Sequence, residues 1–446
     1  MIPNNNESAT MTILAPSIQR LRSLGANPAA NTSSDNARTL LECALSLSPQ
    51  HAFSDVTIAF LSAFSQMLLA EKPPELKALG FWLRKSKIKQ WSLEYQQSLE
   101  QSKHSLRAPI GNVLHFTPAN VDTMFIYSWV CALVLGNISV IRVSRQESPV
   151  KNILLNMLNQ LYDDPQFSEL ASRNVFITYD HYSDITDLLS SYADARILWG
   201  GDEAVSLIKQ SIAKPKTRDI AFSDRYSVAY IDAHSVSSEA DLASIAQLLW
   251  KDIEPYQQQA CSSPRVLFWN AGGLSEKASQ AGGNGTALAD VALENPLLKL
   301  VTSLNRLASH ALSSSGEADI AARNNHLVTE QLAQSSGKVT NVLLSEQISV
   351  IEVDSLTDAL LKWHGGAGLL YVIRVENIEQ ALSNLSEKCQ TLSYWGVDSK
   401  DLIKPLQQGS ITSLDRVVPL GQALDFDVIW DGYDLIQQLE RKITVL

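Results

Sequence analysis

The spacing of apolar positions changes along the chain. Residues 36–102 repeat with the period of α-helices, for example from Ile58 through Leu69, so the N-terminal region is predicted to be helical. From Ile110 onward, short apolar runs typical of buried strands alternate with helical stretches. Such alternation predicts βαβ units, and therefore an α/β fold with a doubly wound, mostly parallel sheet whose ligands bind at the carboxyl ends of the strands.

The predicted elements fall into two α/β units. The first is predicted to contain strands at Gly111–Phe116, Ser139–Val143, Asn174–Thr178 and Arg196–Trp199, with helices at Val121–Leu135, Pro149–Leu161 and Asp202–Ser211. The second, from about Ile231, is predicted to contain helices at Glu239–Lys251, Asn295–Ser314, Leu356–Trp363 and Ile378–Lys388, with strands at Val339–Leu344 and Leu369–Arg374. The N-terminal residues before Asn36 show little pattern beyond a short helix at Ser17–Leu24.

Composition and charge exclude several classes of protein. The chain has 446 residues, enough for two or three domains, and its net charge of −11 argues against a nucleic-acid-binding surface. No segment reaches the ~18 uninterrupted apolar residues of a membrane span, and the N-terminus lacks the pattern of a signal peptide. The four cysteines are widely spaced, and the eight histidines show no metal-binding spacing. We therefore expect no disulfide framework, no metal site and a cytoplasmic location.

One cysteine stands in a distinctive context. Cys261 lies between a run of glutamines and a Ser-Ser-Pro turn, just before the apolar run Val266–Trp269. This order predicts a thiol on a loop that leads into a buried strand, a position suited to an exposed nucleophile. The thiolate is the reactive form, so such a site needs backbone donors or a positive charge nearby. The alternative, which is the commoner role of a lone cysteine, is a small buried hydrophobe.

Polar residues follow three of the predicted strands. Asn120 follows the first strand, where a side-chain amide can donate to a developing oxyanion, or can simply cap the next helix. Arg142 and Ser144 end the next strand, and the alternative for this arginine is a solvated side chain. Gly200 and Gly201 precede a helix, where glycines let backbone amides approach a pyrophosphate, although such turns are common. The usual GxGxxG dinucleotide fingerprint is absent.

Taken in order, these motifs resemble the landmarks of the aldehyde dehydrogenase superfamily, and most closely the acyl-CoA reductases of bacterial bioluminescence. The resemblance runs from about Ala108 to the C-terminus. The stretches that carry it are Tyr127-Ser128-Trp129, Trp199-Gly200-Gly201-Asp202, Gln259-Ala260-Cys261-Ser262-Ser263-Pro264, Arg416-Val417-Val418-Pro419-Leu420-Gly421 and Trp430-Asp431-Gly432-Tyr433-Asp434.

The resemblance implies a role for each candidate residue. Cys261 would be the nucleophile that accepts the acyl group, and Asn120 would donate to the oxyanion together with the backbone amide of Cys261. Cofactor contacts would come from Arg142 and Ser144 at the adenosine ribose, Gly200 and Gly201 near the pyrophosphate, and Glu346 at the nicotinamide ribose. The implied domains are an N-terminal helical region at 1–105 packed on the cofactor domain, an NAD(P)-binding α/β domain at 106–231, a catalytic α/β domain at 232–420 and a C-terminal segment at 421–446.

Two departures from the superfamily pattern refine the expected chemistry. Members that favour NAD place a glutamate three residues after the position of Arg142, whereas this chain has Arg145 there. A guanidinium can attract the 2′-phosphate of NADPH, unless it only points into solvent or pairs with Glu147. Hydrolytic members also carry a glutamate that activates water, at the place of Ala221 in this chain. Loss of that base suits an enzyme whose thioester must not be hydrolysed.

The resemblance therefore implies a fatty acyl-CoA reductase that uses NADPH to release a long-chain aldehyde. The acyl group would come from acyl-CoA, or from an acyl-protein synthetase or thioesterase partner, and the superfamily resemblance also implies a homo-oligomer. Two alternatives stay open: a CoA-acylating aldehyde dehydrogenase that works in the reverse direction, and a non-catalytic subunit that binds acyl chains or acts as a scaffold.

Overall fold

A computed structural model describes residues 11–24, 33–101, 104–180, 184–271, 295–315, 320–344, 347–408 and 413–446. The chain forms two compact units. The first comprises Met1–Asp224 and Phe426–Leu446, and the second comprises Arg225–Asp425. The second unit thus begins directly before a strand, a few residues ahead of the boundary predicted at 231.

The described strands are, in chain order, β1 Thr12–Ala15, β2 Ser105–Pro109, β3 Asn112–Phe116, β4 Ile138–Arg142, β5 Asn174–Thr178, β6 Ala195–Trp199, β7 Arg218–Phe222, β8 Tyr226–Asp232, β9 Pro264–Asn270, β10 Val339–Leu344, β11 Ser349–Val353, β12 Leu369–Val375, β13 Cys389–Trp395, β14 Arg416–Pro419, β15 Ile429–Trp430, β16 Tyr433–Asp434 and β17 Glu440–Thr444.

The described helices are α1 Ile18–Ser23, α2 Ser33–Leu45, α3 Asp55–Ala70, α4 Pro74–Trp82, α5 Lys85–Glu100, α6 Met124–Val134, α7 Pro149–Asp163, α8 Ser168–Arg173, α9 Ile185–Tyr192, α10 Asp202–Gln210, α11 Glu239–Ile253, α12 Pro296–Ser315, α13 Ile320–Ser335, α14 Asp358–Trp363, α15 Ile378–Ser383, α16 Ser399–Gln408 and α17 Leu435–Gln438. Among these helices, none is both long and apolar enough to cross a lipid bilayer.

The sheet of the first unit has the strand order β1-β5-β4-β3-β6-β7. Strands β3 to β7 are parallel, and β1 pairs with β5 in the antiparallel direction. From β5 to β7 this is the 3-2-1-4-5 order of dinucleotide-binding folds, in which β3 is the first strand and the order reverses between β3 and β6. The doubly wound sheet predicted from the sequence is therefore confirmed.

Helix α6 explains why β3 and β4 are central. All residues of α6 are buried, and its next turn contains Gly136, whose φ of +77° is a left-handed conformation. A Cβ there would lie 2.3 Å from the carbonyl oxygen of Gln50, so only glycine fits the turn into β4. The short turn from α6 into β4 brings the chain back so that β4 pairs with β3. The loops that follow β3 and β4 therefore meet at the carboxyl edge of the sheet.

The sheet of the second unit has the order β10-β11-β12-β9-β8-β13-β14. Its strands are parallel except for the antiparallel pair β10 and β11. One face packs against α11 and α12 through residues such as Leu249 and Leu300, and the other face carries a second apolar cluster around Tyr371. Strands β8 and β9 lie in the middle of this sheet. The loop before β9 therefore leads into a strand that is paired on both sides.

Candidate active site

The candidate cofactor residues of the first unit lie at one edge of its sheet. Phe116 pairs with Arg142 on one side and with Leu198 on the other, and Leu198 pairs with Ala221. Because these strands are parallel and in register, the loops that follow them meet at the same edge. The strand order reverses between β3 and β6, the position where dinucleotides bind in such sheets.

Asn120 is exposed in the loop between β3 and α6. Helix α6 begins at Met124 with Thr123 at its N-cap, so Asn120 lies three residues before the capping position. The loop is tied to its neighbours by two hydrogen bonds: Thr117 Oγ1 donates to the Arg142 carbonyl at 2.7 Å, and the Ser148 hydroxyl donates to the Asp122 carboxylate. Asn120 therefore stands on a loop that is fixed against β4 and α7.

The end of β4 holds the predicted basic residues. Arg142 is half-buried, and its guanidinium lies 5.2 Å from the centre of the Tyr179 ring; burial lowers the pKa of this arginine, and nearby Arg145 also lowers it. Ser144 Oγ accepts a hydrogen bond from the Gln146 amide at 3.1 Å. Arg145 is exposed and pairs with Asp180 at 2.9 Å, instead of the Glu147 considered from the sequence. Its guanidinium thus stands at the surface beside a carboxylate.

A buried lysine that the sequence did not single out shapes this loop. Lys151, in the first turn of α7, donates from Nζ to the carbonyl of Ser144 at 3.4 Å and to that of Gln146. Nζ also lies 3.7 Å from a carboxylate oxygen of Glu147, which is its third contact in this loop. An ammonium held by main-chain carbonyls fixes the path of the loop. No motif pointed to it, because a single lysine early in a helix is ordinary.

The turn after β6 combines open backbone with negative charge. A side chain at Gly200 would meet only Ala204 Cβ at 3.4 Å, so another molecule can approach this backbone closely. Gly201 is the N-cap of α10, whose first turn is acidic, and the Asp202 amide donates to the Asp224 carboxylate at 3.2 Å. Gly200, Arg142 and Ser144 therefore fit a dinucleotide sterically and chemically, while the carboxylates restrict where its phosphates can lie.

Beneath this edge lies a buried polar chain, His115–Ser128–Trp199. His115 Nδ1 is 2.8 Å from Ser128 Oγ, which also accepts a hydrogen bond from Trp199 Nε1 at 3.2 Å. Burial lowers the pKa of His115 to about 3, so the imidazole is neutral. Trp199 stacks on Phe222 with ring centres 3.8 Å apart. A histidine within the apolar run of β3 was the available signal, and sequence reasoning passed over it.

The second unit carries Cys261, and this thiol is half-buried. Of the other cysteines, Cys43 is exposed, whereas Cys131 and Cys389 are buried, and burial raises the pKa values of both buried thiols. Cys261 lies three residues before β9, so it occupies the amino edge of the parallel sheet. The loop leading into a buried strand is as the sequence predicted.

Two buried side chains hold the main chain around Cys261. Ser227 Oγ donates to the Cys261 carbonyl at 2.7 Å. Gln258 Nε2 donates to the carbonyl oxygens of Pro264 and Leu369, at 2.7 and 2.9 Å. The thiol thus sits between two anchored points of the backbone.

Glu346, predicted to contact the nicotinamide ribose, lies outside the described residues. In the parts of the chain that the structure describes, no group of three or more histidine, cysteine, aspartate or glutamate side chains is arranged to hold a metal ion.

Similarity to known proteins is consistent across sequence and structure. The chain is 25% identical to the long-chain acyl-protein thioester reductase of Aliivibrio fischeri over 162 residues, which is 36% of this chain and 32% of that protein. It is 26% identical to long-chain acyl-protein thioester reductase 2 of Photobacterium leiognathi over 165 residues, 36% of this chain and 32% of that protein. These matches therefore span about a third of each relative.

The fold has neighbours among solved structures. The NAD-dependent aldehyde dehydrogenase of Sinorhizobium meliloti superimposes with a TM-score of 0.61 at 14% identity, covering 93% of this chain and 87% of that one. At this identity the likeness concerns the fold alone, which is that of the aldehyde dehydrogenases. The family model described as acyl-CoA reductase (LuxC) matches residues 84–442. The chain therefore belongs to the acyl-CoA reductase (LuxC) family.

Proposed function

We propose that this protein is an NADPH-dependent fatty acyl-CoA reductase that carries the acyl group on Cys261 and releases a long-chain aldehyde. The observation that carries the proposal is the setting of Cys261: it is half-buried on an anchored turn, within the residues that match the family. A nucleophilic thiol must be reachable by substrate yet held in place, and the buried Cys131 and Cys389 are not reachable.

In the first step the Cys261 thiolate attacks the thioester carbonyl of the substrate. A new carbon–sulfur bond to Cys261 forms, the bond to the coenzyme A sulfur breaks, and the leaving thiolate takes up a proton. Negative charge develops on the carbonyl oxygen during the attack, and we assign Asn120 and the Cys261 amide as its hydrogen-bond donors. Such donors lower the barrier because they are oriented before the charge appears.

The names of the relatives suggest a second source of the acyl group. Both are called acyl-protein thioester reductases, so an acyl group on a partner protein, such as a synthetase or thioesterase, is an alternative donor in the proposal. The chemistry at Cys261 is the same with either donor, since each presents a thioester carbonyl. The proposal also includes a homo-oligomer in the reducing cytoplasm, where free thiols persist.

The residues assigned to the cofactor are Arg142 and Ser144 for the adenosine ribose, Arg145 for the 2′-phosphate, Gly200 and Gly201 for the pyrophosphate, and Glu346 for the nicotinamide ribose. When bound, a reduced nicotinamide would supply the hydride for the acyl carbon; the carbon–sulfur bond to Cys261 would break, releasing the aldehyde and regenerating the Cys261 thiolate. The protein holds the acyl carbon in place and keeps water from reacting with it.

The strand end at β7 supports a reductase over a hydrolase. Ala221 occupies the place of the water-activating glutamate of hydrolytic relatives, and Phe222 beside it is buried against Trp199. The nearby carboxylate of Asp224 accepts the Asp202 amide, so it is engaged. Without that glutamate the acyl-enzyme should persist until the reductant arrives.

An assay of NADPH oxidation with acyl-CoAs of graded chain length tests the proposal. We expect aldehyde formation in the wild type, no acyl labelling and no aldehyde in Cys261→Ala, and retained activity in the control Cys131→Ala. Acyl labelling that persists in Cys261→Ala would overturn the assignment of the nucleophile. Rapid release of fatty acid without NADPH would identify a hydrolase instead.

A further inference from the structure

The turn before Cys261 has an unusual backbone. Three consecutive residues that are not glycine adopt left-handed conformations: Tyr256 at φ 55°, Gln257 at φ 51° and Gln258 at φ 62°. Side chains of L-residues crowd the following carbonyl in this region, so each position costs conformational free energy. Such conformations persist only where the surrounding structure enforces them, and they concentrate at functional sites.

The Gln258 side chain is the first element that enforces the turn. It is fully buried, and its amide makes three hydrogen bonds to main chain. Nε2 donates to the carbonyls of Pro264 and Leu369, and Oε1 accepts from the Gly368 amide at 2.9 Å. Pro264 and Leu369 begin the neighbouring parallel strands β9 and β12. One side chain thus ties the turn to the starts of two strands.

A glycine turn at 365–368 is the second element. The Ala367 amide donates to the Gln257 carbonyl at 2.9 Å, and Gln259 Nε2 donates to the Gly365 carbonyl at 3.0 Å. A Cβ at Gly366, whose φ is +74°, would lie 2.7 Å from the Gln257 carbonyl oxygen. The two turns therefore fit together only because this residue has no side chain.

Two buried histidines hold the glycine turn. His364 donates from Nε2 to the Leu369 carbonyl at 2.9 Å and accepts the Gly366 amide at Nδ1, at 3.2 Å. His326 Nε2 donates to the Gly366 carbonyl at 3.1 Å. Accepting at Nδ1 requires a neutral ring, and burial lowers the pKa of His364 to about 3. The histidines thus hold the glycine turn by hydrogen bonds, and the glycine turn in turn holds the left-handed turn.

We propose that the left-handed turn Tyr256–Gln258 positions the Cys261 thiol for attack on the acyl carbonyl, with Gln258 as the side chain that enforces it. This inference rests on the proposed function. Attack on a carbonyl needs a defined direction and distance, and small displacements reduce its rate strongly. The chain would not adopt this turn by itself, and Gln258, the glycine turn and the two histidines hold it in place. The Cys261 sulfur therefore has few alternative positions.

Gln257 offers a test that separates positioning from stability. Its side chain is exposed, so Gln257→Ala and Gln257→Gly remove the same group from the surface. Alanine keeps the steric strain that any L-side chain has in this left-handed conformation, whereas glycine relieves the strain and makes the backbone more flexible. We expect acylation of Cys261 by acyl-CoA without NADPH to be near the wild-type rate in Gln257→Ala. We expect it to be about tenfold slower in Gln257→Gly, at equal or higher melting temperature.

Iodoacetamide gives a second readout. This small reagent approaches a thiol from many directions, so its rate with Cys261, measured against exposed Cys43 in the same molecule, should change little in either variant. Equal acylation rates in Gln257→Gly and Gln257→Ala, with the wild type acylated, would overturn the positioning role alone. Absence of acylation in the wild type would overturn the proposed function, and this inference with it.

Discussion

Ser227 donates a hydrogen bond of 2.7 Å from its hydroxyl to the backbone carbonyl of Cys261. The Ser227 hydroxyl oxygen also accepts a hydrogen bond from the Thr391 amide at 3.3 Å. Ser227 is on β8, which lies between β9 and β13, so one buried hydroxyl connects the amino ends of three neighbouring strands. Ser227 therefore holds the backbone of Cys261 at its carbonyl, whereas the glutamine turn lies before Cys261 in the sequence.

We predict that Ser227→Ala weakens both the fold and the acylation step. The Cys261 carbonyl and the Thr391 amide would lose a buried partner, which typically costs about 1–3 kcal/mol of unfolding free energy. Without the hydrogen bond to its carbonyl, Cys261 should be less well oriented, so we expect single-turnover acylation to be roughly tenfold slower. Urea unfolding and acyl labelling measure the two effects.

Ser393→Ala is the matched control for this prediction. Ser393 is fully buried in the same unit, and its hydroxyl has no hydrogen-bond partner among the described residues. Its removal should change stability and acylation little. Similar behaviour of Ser227→Ala and Ser393→Ala would contradict a specific role for the Ser227 hydrogen bond.

Short apolar runs in the sequence predicted about half of the strands in the two larger sheets. Strands β5 and β10 have the predicted bounds, and β3, β4, β6 and β12 agree within about one residue. Apart from β10, an antiparallel edge strand with exposed positions, these strands are parallel and largely buried, so their apolar composition identifies them.

Elements that depend on tertiary contacts were missed. Strand β1 is a short edge strand, defined by antiparallel pairing with β5, in a region that showed no strand pattern. The helix predicted at Ile378–Lys388 ends at Ser383 instead. There the chain turns away, and the Ser386 amide donates to the Tyr226 hydroxyl at 3.1 Å before β13 begins. Neither contact partner is near in sequence, so local patterning cannot reveal it.

Asn120→Ala should slow acylation with little effect on cofactor affinity. Removing one preorganised oxyanion donor typically costs ~100- to 1,000-fold in turnover. Because Asn120 is exposed and lies outside the N-cap of α6, the variant should keep its melting temperature. Pre-steady-state acylation and NADPH titration measure the two properties. A folded variant with nearly full turnover would show that Asn120 has no catalytic role.

The candidate site was only partly readable from the sequence. Cys261 and Asn120 were identifiable because they follow the landmarks of a known family. The left-handed turn before Cys261 was not, since glutamines carry none of the signal that glycine or asparagine gives for positive φ. The three glutamines read as an ordinary polar loop. Their backbone conformation depends on Gly366 and Leu369, more than a hundred residues away.

Asp252 should make the stability of the protein depend on pH in the acid range. It is fully buried, its oxygens accept the Gly421 and Ala423 amides at 2.8 and 3.0 Å, and burial raises its pKa to about 6. An unfolded aspartate has a pKa of about 3.9, so between pH 4 and 6 the folded state binds more protons. The stability from this group is complete below pH 4 and is lost as the pH rises to about 6.

The comparison of wild type with Asp252→Asn isolates this effect, because asparagine does not titrate. The unfolding free energy of the wild type minus that of the variant should fall by on the order of 2 kcal/mol between pH 4 and pH 6.5. Urea unfolding across this range measures the difference. A difference that stays constant with pH would contradict the raised pKa.

Arg145 is predicted to select NADPH over NADH. Its guanidinium is mostly exposed and pairs with Asp180 at 2.9 Å, so a 2′-phosphate would have to compete with that carboxylate. We therefore expect a moderate preference, on the order of 1–2 kcal/mol or roughly tenfold in kcat/KM. Arg145→Glu should abolish it at low salt, whereas Asp180→Asn should increase it, since the variant removes both the competitor and a negative charge.

The control is Arg38→Glu, which changes the net charge equally at another exposed ion pair, that of Arg38 with Glu42. This variant should keep the wild-type preference. Rates with NADPH and NADH, measured at low and high salt, decide the matter, because an exposed charge contact weakens as salt is added. Equal use of both cofactors by the wild type would exclude Arg145 as the selecting residue. An unchanged preference in Asp180→Asn would mean that the carboxylate does not compete with the phosphate.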